Sequence, residues 1–545
     1  MIMTLPFADA GYLYFCAFLL PVFLYAEIHY KFRLIPSRYR IQAPEIIADV
    51  PSRLEPGEAL PVLLLVKDAH RWPVQINGVR VGLSGGHGPA RSLHLTLNER
   101  IRSQWWHRVL YMPRHFEDAG VRLVTVEIEA VIAGKTYRFQ ADNYRLTQHQ
   151  PFRVCFAAEP LPLQRHYYTG DLHTHSWYTS DQVEFGAPVT ATAELAQAMG
   201  HHFLAITDHS YDLDDLPENY LRNDPDLRKW QSFQREVAHW NAQNDFVIIP
   251  GEEVSCGNSR GGNVHFLVFN NPRYIPGQGD SGEKWLRYRP DLSIGEVMQR
   301  AGNDTLHFAA HPLMPVPLLQ RLLLNRDRWQ EADFTREGLH GLQVWNGHPD
   351  GTVAARDAWV RLLLQGKRAL IIAGSDAHGN FARYRQITLP HIGMQEQEHY
   401  HLFGSHRTLL YLEEKPALDA VIRALRSGAA AVTSGPFLSL TARTATGEMV
   451  PMGGTLPRED VTLEVLAFST PEFGLLHELR LLRGDLEQGV ETEILREYSP
   501  AGEMAFRIRL PVAEQEHRHS YYRAEVTGNT AVPIPVQAMT NAIWG

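Results

Sequence analysis

The feature that most constrains this chain is a series of short apolar runs between Tyr168 and His378, nearly all with a His, Asp or Glu at one end. Tyr168 leads into Asp171-Leu172-His173-Thr174-His175, residues 203–206 into Thr207-Asp208-His209, and residues 246–249 into Gly251-Glu252-Glu253. Asn263-Val264-His265 opens the run 266–269. Residues 305–310 lead into His311-Pro312, 339–344 into Trp345-Asn346, and 370–373 into Gly374-Ser375-Asp376-Ala377-His378. Helix-type stretches fit between several of them, at 193–199, 227–240 and 353–364. Strand and helix patterns in alternation predict an α/β domain. In a β/α barrel the C-terminal ends of the strands meet at one mouth, so residues scattered along the sequence can be brought together there.

The residue types at these ends share one chemistry. His173 and His175 are two apart on an extended segment, so both rings point to one face. Neutral imidazole is a good ligand for Zn, Mn or Fe. Asp181, His209, Glu253, His265, His311, Asp376 and His378 complete a candidate ligand set for two or three divalent ions. A lone histidine of this kind is more often a hydrogen-bonded core or surface residue; the number and placement of these argue for a metal centre. His209 is read as a ligand, and as a proton donor only if it binds no ion. Asp171 and Asp208 read equally well as carboxylates that orient imidazoles or as caps of strand ends. Arg260, Arg383 and Arg385 are candidate substrate clamps, because guanidinium suits bidentate contact with phosphate.

The 545 residues suggest several domains. Residues 41–150 read as a β-sandwich, 160–435 as the α/β domain and 436–545 as a smaller β domain. A net charge of −9 argues against a face for long nucleic acid. It leaves room for a small anionic or ester substrate, short oligonucleotides included. Cys16, Cys155 and Cys256 are too few and too far apart for a disulfide framework, which fits a reducing compartment. Residues 10–26 are uncharged and mostly apolar, and Lys31, Arg33, Arg38 and Arg40 follow. They read either as a membrane anchor, which would leave the rest cytoplasmic, or as a segment packed on the body. The Gly- and Pro-rich stretch 270–292 reads as a surface loop or a lid.

Asp171-Leu172-His173-Thr174-His175-Ser176, Thr207-Asp208-His209, Gly251-Glu252-Glu253-Val254, Ala310-His311-Pro312 and Gly374-Ser375-Asp376-Ala377-His378 resemble the motifs of the PHP (polymerase and histidinol phosphatase) superfamily. Within it, the chain looks like the branch of the CehA/McbA carbaryl hydrolases. The resemblance implies a distorted seven-stranded β/α barrel, up to three divalent metals, Glu253 rather than Glu252 as the ligand, and phosphoester hydrolysis of phosphatase, phosphodiesterase or 5′-3′ exonuclease type. A metal-activated hydroxide would be the nucleophile. Two alternatives stay open at this stage. One is carbamate, carboxylic ester or amide hydrolysis at the same metals. The other is a non-catalytic, metal-stabilised, envelope-associated binding protein. No phosphate-binding Gly-x-x-x-x-Gly-Lys-Ser/Thr loop, His-Glu-x-x-His helix or Gly-x-Ser-x-Gly elbow occurs. Ser176 and Ser375 are read as loop hydrogen-bonders.

Overall fold

The computed structural model describes residues 43–86, 88–115, 118–143, 149–180, 185–279, 288–383, 385–388, 395–398, 400–528 and 535–545. Asp181 and the apolar run 10–26 lie outside the described residues. Among those described, no helix is long and apolar enough to cross a membrane.

Near the N-terminus, a three-stranded sheet (Glu45–Asp49, Leu60–Lys67, Trp105–Met112) and a six-stranded sheet built around Val74–Ser84 and Gly120–Ile132 share one apolar core. The period of two along a strand shows how Leu60–Lys67 is buried on both faces. Leu60, Val62, Leu64 and Val66 enter the core between the sheets. Leu63 points the other way, into a cluster with Val189, Leu195 and Ala196 of the helix Val189–Ala198.

The described metal-capable residues lie on the strands of a 15-stranded mixed sheet or in the loops that follow them. Tyr167–His175, Phe203–Ile206 and Val247–Gly257 run parallel. Asn263–Phe269 then pairs antiparallel with Val247–Gly257 and with Leu306–Ala309, after which Gly341–Trp345 and Leu370–Ala373 continue in parallel. The expected helical stretches form as Val189–Ala198, Arg228–Gln243 and Thr352–Leu364.

The expected seven-stranded β/α barrel is not what forms. Among the described residues the protein is mainly β-strand, and after Leu370–Ala373 only the two-residue strand Ala377–His378 pairs with Tyr167–His175. Two local causes account for this. Val247–Gly257 turns straight back into Asn263–Phe269 as a hairpin, so no crossover helix separates them. The free edge of Tyr167–His175 is taken by Arg407–Tyr411, which extends the sheet through Ala430–Thr433 and Gln537–Thr540 into the C-terminal strands. The C-terminal region therefore shares a sheet with the strands of the site. Its four-stranded sheet around Phe437–Thr444 covers the last strands of the large sheet over a common core.

The sheet still curls far enough to bring Leu370–Ala373 against Arg407–Tyr411. The Thr408 hydroxyl accepts from Ala373 N and donates to Ala373 O, both at 2.9 Å. Beyond that seam Asp376 N donates to His173 O at 2.8 Å. The approach requires Gly374: a Cβ there would lie 2.3 Å from His173 N and 2.9 Å from Asp171 Oδ1.

Candidate metal centre

Strand ends and loops converge on two carboxylates. Glu253 is 1% exposed, and five imidazoles surround it. His173 and His175 Nε2 lie 3.4 Å from its oxygens, His209 Nδ1 3.1 Å, His265 Nδ1 2.7 Å and His311 Nε2 3.0 Å. Asp376 Oδ1 is 3.2 Å from Nε2 of both His173 and His175. His378 stacks on His175 with ring centroids 4.0 Å apart, and its ring lies 5.7 Å from that of His209. Three overlapping groups have ligand-capable atoms close enough to share an ion: His175, His209 and His378; His173, His175, Glu253 and Asp376; and His209, Glu253 and His265.

These groups could hold metal ions, and the hydrogen-bond chemistry tests the fit. Gln343 Oε1 accepts from His311 N at 3.2 Å and meets His173 Nδ1 at 2.9 Å, while Gln343 Nε2 donates to Gly374 O. Nδ1 of His173 must then carry a hydrogen, and the Nε2 lone pair of the neutral ring faces Asp376 Oδ1, Glu253 Oε1 and His175 Nε2. His209 Nδ1 and Glu253 Oε2 are both buried without hydrogen-bonding geometry, although 3.1 Å apart. Electron-rich atoms that converge without protons to share fit a cation between them. Without an ion, a proton takes that place. Burial opposes charge on His173, but Asp376 and Glu253 outweigh it and push its pKa up to about 9. His209 reaches about 9 through Glu253 in the same way, again against burial. Burial alone would raise Glu253 and Asp376; the facing histidines hold both well below the usual carboxylate range.

Two site residues adopt a backbone conformation unusual for side chains with a Cβ. Asp376 has φ 57° and His311 φ 27°. Such strain persists where the surroundings over-determine it, and it clusters at functional sites.

Other sequence expectations fall out residue by residue. Glu252 is turned away from the cluster: it accepts from Trp230 Nε1, Ile275 N and Ser210 Oγ, and burial pushes it up to about 8. Asp171 accepts from His173 N, Ser375 N, Ser375 Oγ and Gly404 N. Asp208 accepts from Ser176 N, Ser176 Oγ and Thr179 N. Both carboxylates cap loops at strand ends, the second of their two readings, with Ser176 and Ser375 as their hydroxyl partners. Arg383 pairs with Asp142 at 2.9 Å and so ties the site loop to the N-terminal β region. Arg260 is exposed on the 258–262 turn, its own N–H donating to Asn258 Oδ1. Arg385 lies on the strand Arg385–Thr388, and its side chain is outside the description. The described part of 270–292 is pinned, with Tyr274 Oη donating to Ser210 O and Asn263 Nδ2 to Gly279 O and Tyr288 O.

Sequence reasoning missed two residues. Gln343 had a signal, as the one polar side chain in the buried strand Gly341–Trp345. Arg326, whose Nη2 lies 2.9 Å from His265 Nε2, had none.

No family model and no curated protein matches this chain. Solved structures match only faintly. A calcium-binding mutant of Bacteroides uniformis beta-glucuronidase 2 shares 11% identity over 91% of this chain and 60% of its own, with a TM-score of 0.18. A glycosyl hydrolase family 2 member from Bacteroides cellulosilyticus shares 9% over 91% and 62%, with a TM-score of 0.16. Trypsin-activated alpha-2-macroglobulin from Escherichia coli shares 8% over 94% and 24%, with a TM-score of 0.15. The chain thus spans less than two thirds of the length of each. Likeness this slight carries no statement about fold or activity.

Proposed function

We propose that the chain is a metal-dependent hydrolase of phosphoesters, of phosphatase or phosphodiesterase type, acting at the Glu253–Asp376 cluster. The observation that carries this reading is the convergence of five imidazoles on Glu253 and Asp376, with His173 Nε2 and His209 Nδ1 facing carboxylate oxygens without hydrogen-bonding to them. The resemblance of the strand-end motifs to those of the PHP superfamily supports the same reading.

Bound divalent ions supply Lewis acidity and a water that ionises near neutral pH. The residues of the chain do the rest. Glu253 and Asp376 contribute two negative charges, so a pair of divalent ions would leave the centre at about +2, suited to an anionic ester. Arg326 adds a fixed positive charge beside it. The side chains of His173 and His175 are wholly buried, whereas those of His311 and Asp376 are 16% and 18% exposed. Substrate therefore approaches from the His311–Asp376 side, and the closed His173 side excludes water.

The test is one metal-loaded preparation assayed on p-nitrophenyl phosphate, a 3′,5′-bisphosphonucleotide, p-nitrophenyl acetate and an aryl carbamate. Turnover of the phosphate substrates is expected. Turnover of the carbonyl substrates alone would reject the reading in favour of carbamate, ester or amide hydrolysis. Metal without any turnover would favour a binding protein.

A further inference from the structure

Measured by distance, the cluster has three corners; by hydrogen-bond chemistry, one of them is already taken. Arg326 Nη2 lies 2.9 Å from His265 Nε2. A guanidinium has donors only, so Nε2 of His265 accepts. In a neutral imidazole the other nitrogen then carries the hydrogen, and Nδ1 donates to Glu253 Oε1 at 2.7 Å. Both ring nitrogens of His265 are thereby engaged, and neither offers a lone pair to an ion.

The placement of Arg326 is built, not incidental. Asn263 precedes His265 by two residues on one strand, so their side chains share a face. Asn263 is 1% exposed. Its N–H donates to Asn325 O, its O accepts from Asp327 N, and its Nδ2 donates to Leu324 O. Asn325 sits at φ 53° and donates Nδ2 to Gly261 O. The loop that carries Arg326 is therefore fastened, from both flanks, to the strand that carries His265.

We propose that the Arg326 guanidinium stands in for a third cation at the His265 corner, which leaves a centre for two divalent ions. This rests on the metal-centre reading above and deepens it. Of the charge facing an anionic substrate, one part belongs to the chain itself and cannot be removed by a chelator. His265, expected from sequence to be a ligand, instead relays the Arg326 contact to Glu253.

Ion counting on the full-length protein decides the matter. The protein is saturated with Zn2+ alone, freed of excess by gel filtration and measured by plasma mass spectrometry, with a calorimetric Zn2+ titration beside it. Two ions per chain are expected in the wild type. His265→Asn keeps an amide donor near the Nδ1 position and should stay at two. Arg326→Met frees His265 and should rise to three. Three ions in the wild type, a fall to one in His265→Asn, or no gain in a folded Arg326→Met each overturns the proposal. If Arg326→Met does not fold, the other two counts decide. A wild type that takes up no ion at all rejects the metal centre itself.

Discussion

Replacing Gln343 by Leu removes a side chain that touches no ion site directly, yet it should weaken ion capture. Gln343 is 1% exposed and stands under two imidazole-bearing segments. Its Oε1 meets His173 Nδ1 at 2.9 Å and His311 N at 3.2 Å. Leucine fills similar volume but strands both donors. Each buried donor left without a partner costs about 1–3 kcal/mol, so the ion-free protein should lose roughly 2–4 kcal/mol once relaxation is allowed for. The effect on binding has a different origin. Without an acceptor at Nδ1, the His173 ring can move its hydrogen to Nε2 and lose the lone pair that faces Asp376. Loss of such an orienting partner typically lowers metal affinity about 10–100-fold, or roughly 1.4–2.7 kcal/mol. Gln343→Glu keeps the acceptor and strengthens it, so its affinity should match or exceed that of the wild type. Zn2+ affinity by competition with a chromophoric chelator reads the effect, and a urea titration of the ion-free proteins reads the stability. A folded Gln343→Leu protein with wild-type affinity would refute the tautomer argument.

Three further outcomes follow from the same structure. Burial, with His401 and Arg407 adding to it, pulls His406 down to about 3 from 6.5. The unfolded chain therefore takes up a proton below pH 6.5 that the folded chain refuses, and stability falls with pH from 6.5 toward 3 at about 1.4 kcal/mol per unit; urea titrations at pH 7 and 5 should show a drop about 2 kcal/mol smaller in His406→Gln than in the wild type. Arg383→Ala should leave KM for p-nitrophenyl phosphate within about twofold of wild type, because the side chain is engaged by Asp142; a large rise in KM would restore its reading as a substrate clamp. Gly374→Ala should lose bound Zn2+ and activity together, since its methyl group would push the Asp376 loop off His173 N; retained metal in a folded protein would show that the loop can shift without loss.

The candidate ligands were legible because strand periodicity and residue type together mark which side chains leave an apolar run at its end. His173, His175, His209, Glu253, His311, Asp376 and His378 are gathered as that pattern implies. The three longer helices were legible for the same reason, from their apolar spacing. The sheet order was not. Whether Val247–Gly257 is followed by a hairpin or a helix depends on the 258–262 turn, and the edge of Tyr167–His175 is claimed by Arg407–Tyr411, far along the chain. Periodicity says nothing about which distant strand wins an edge. Substrate arginines were illegible on similar grounds: Arg383 is engaged by a β region far from it in sequence, and Arg326 reaches the site only because Asn263 holds its loop.

The seam beside Thr408 ties the candidate ligands of two strands into one unit. The Thr408 hydroxyl ties Arg407–Tyr411 to Ala373, and just beyond it main-chain pairs match Thr174 with Ala377 and His175 with His378. His173 and His175 ride on one bank of this joint and Asp376 and His378 on the other, so one short ladder sets the spacing of four candidate ligands at once.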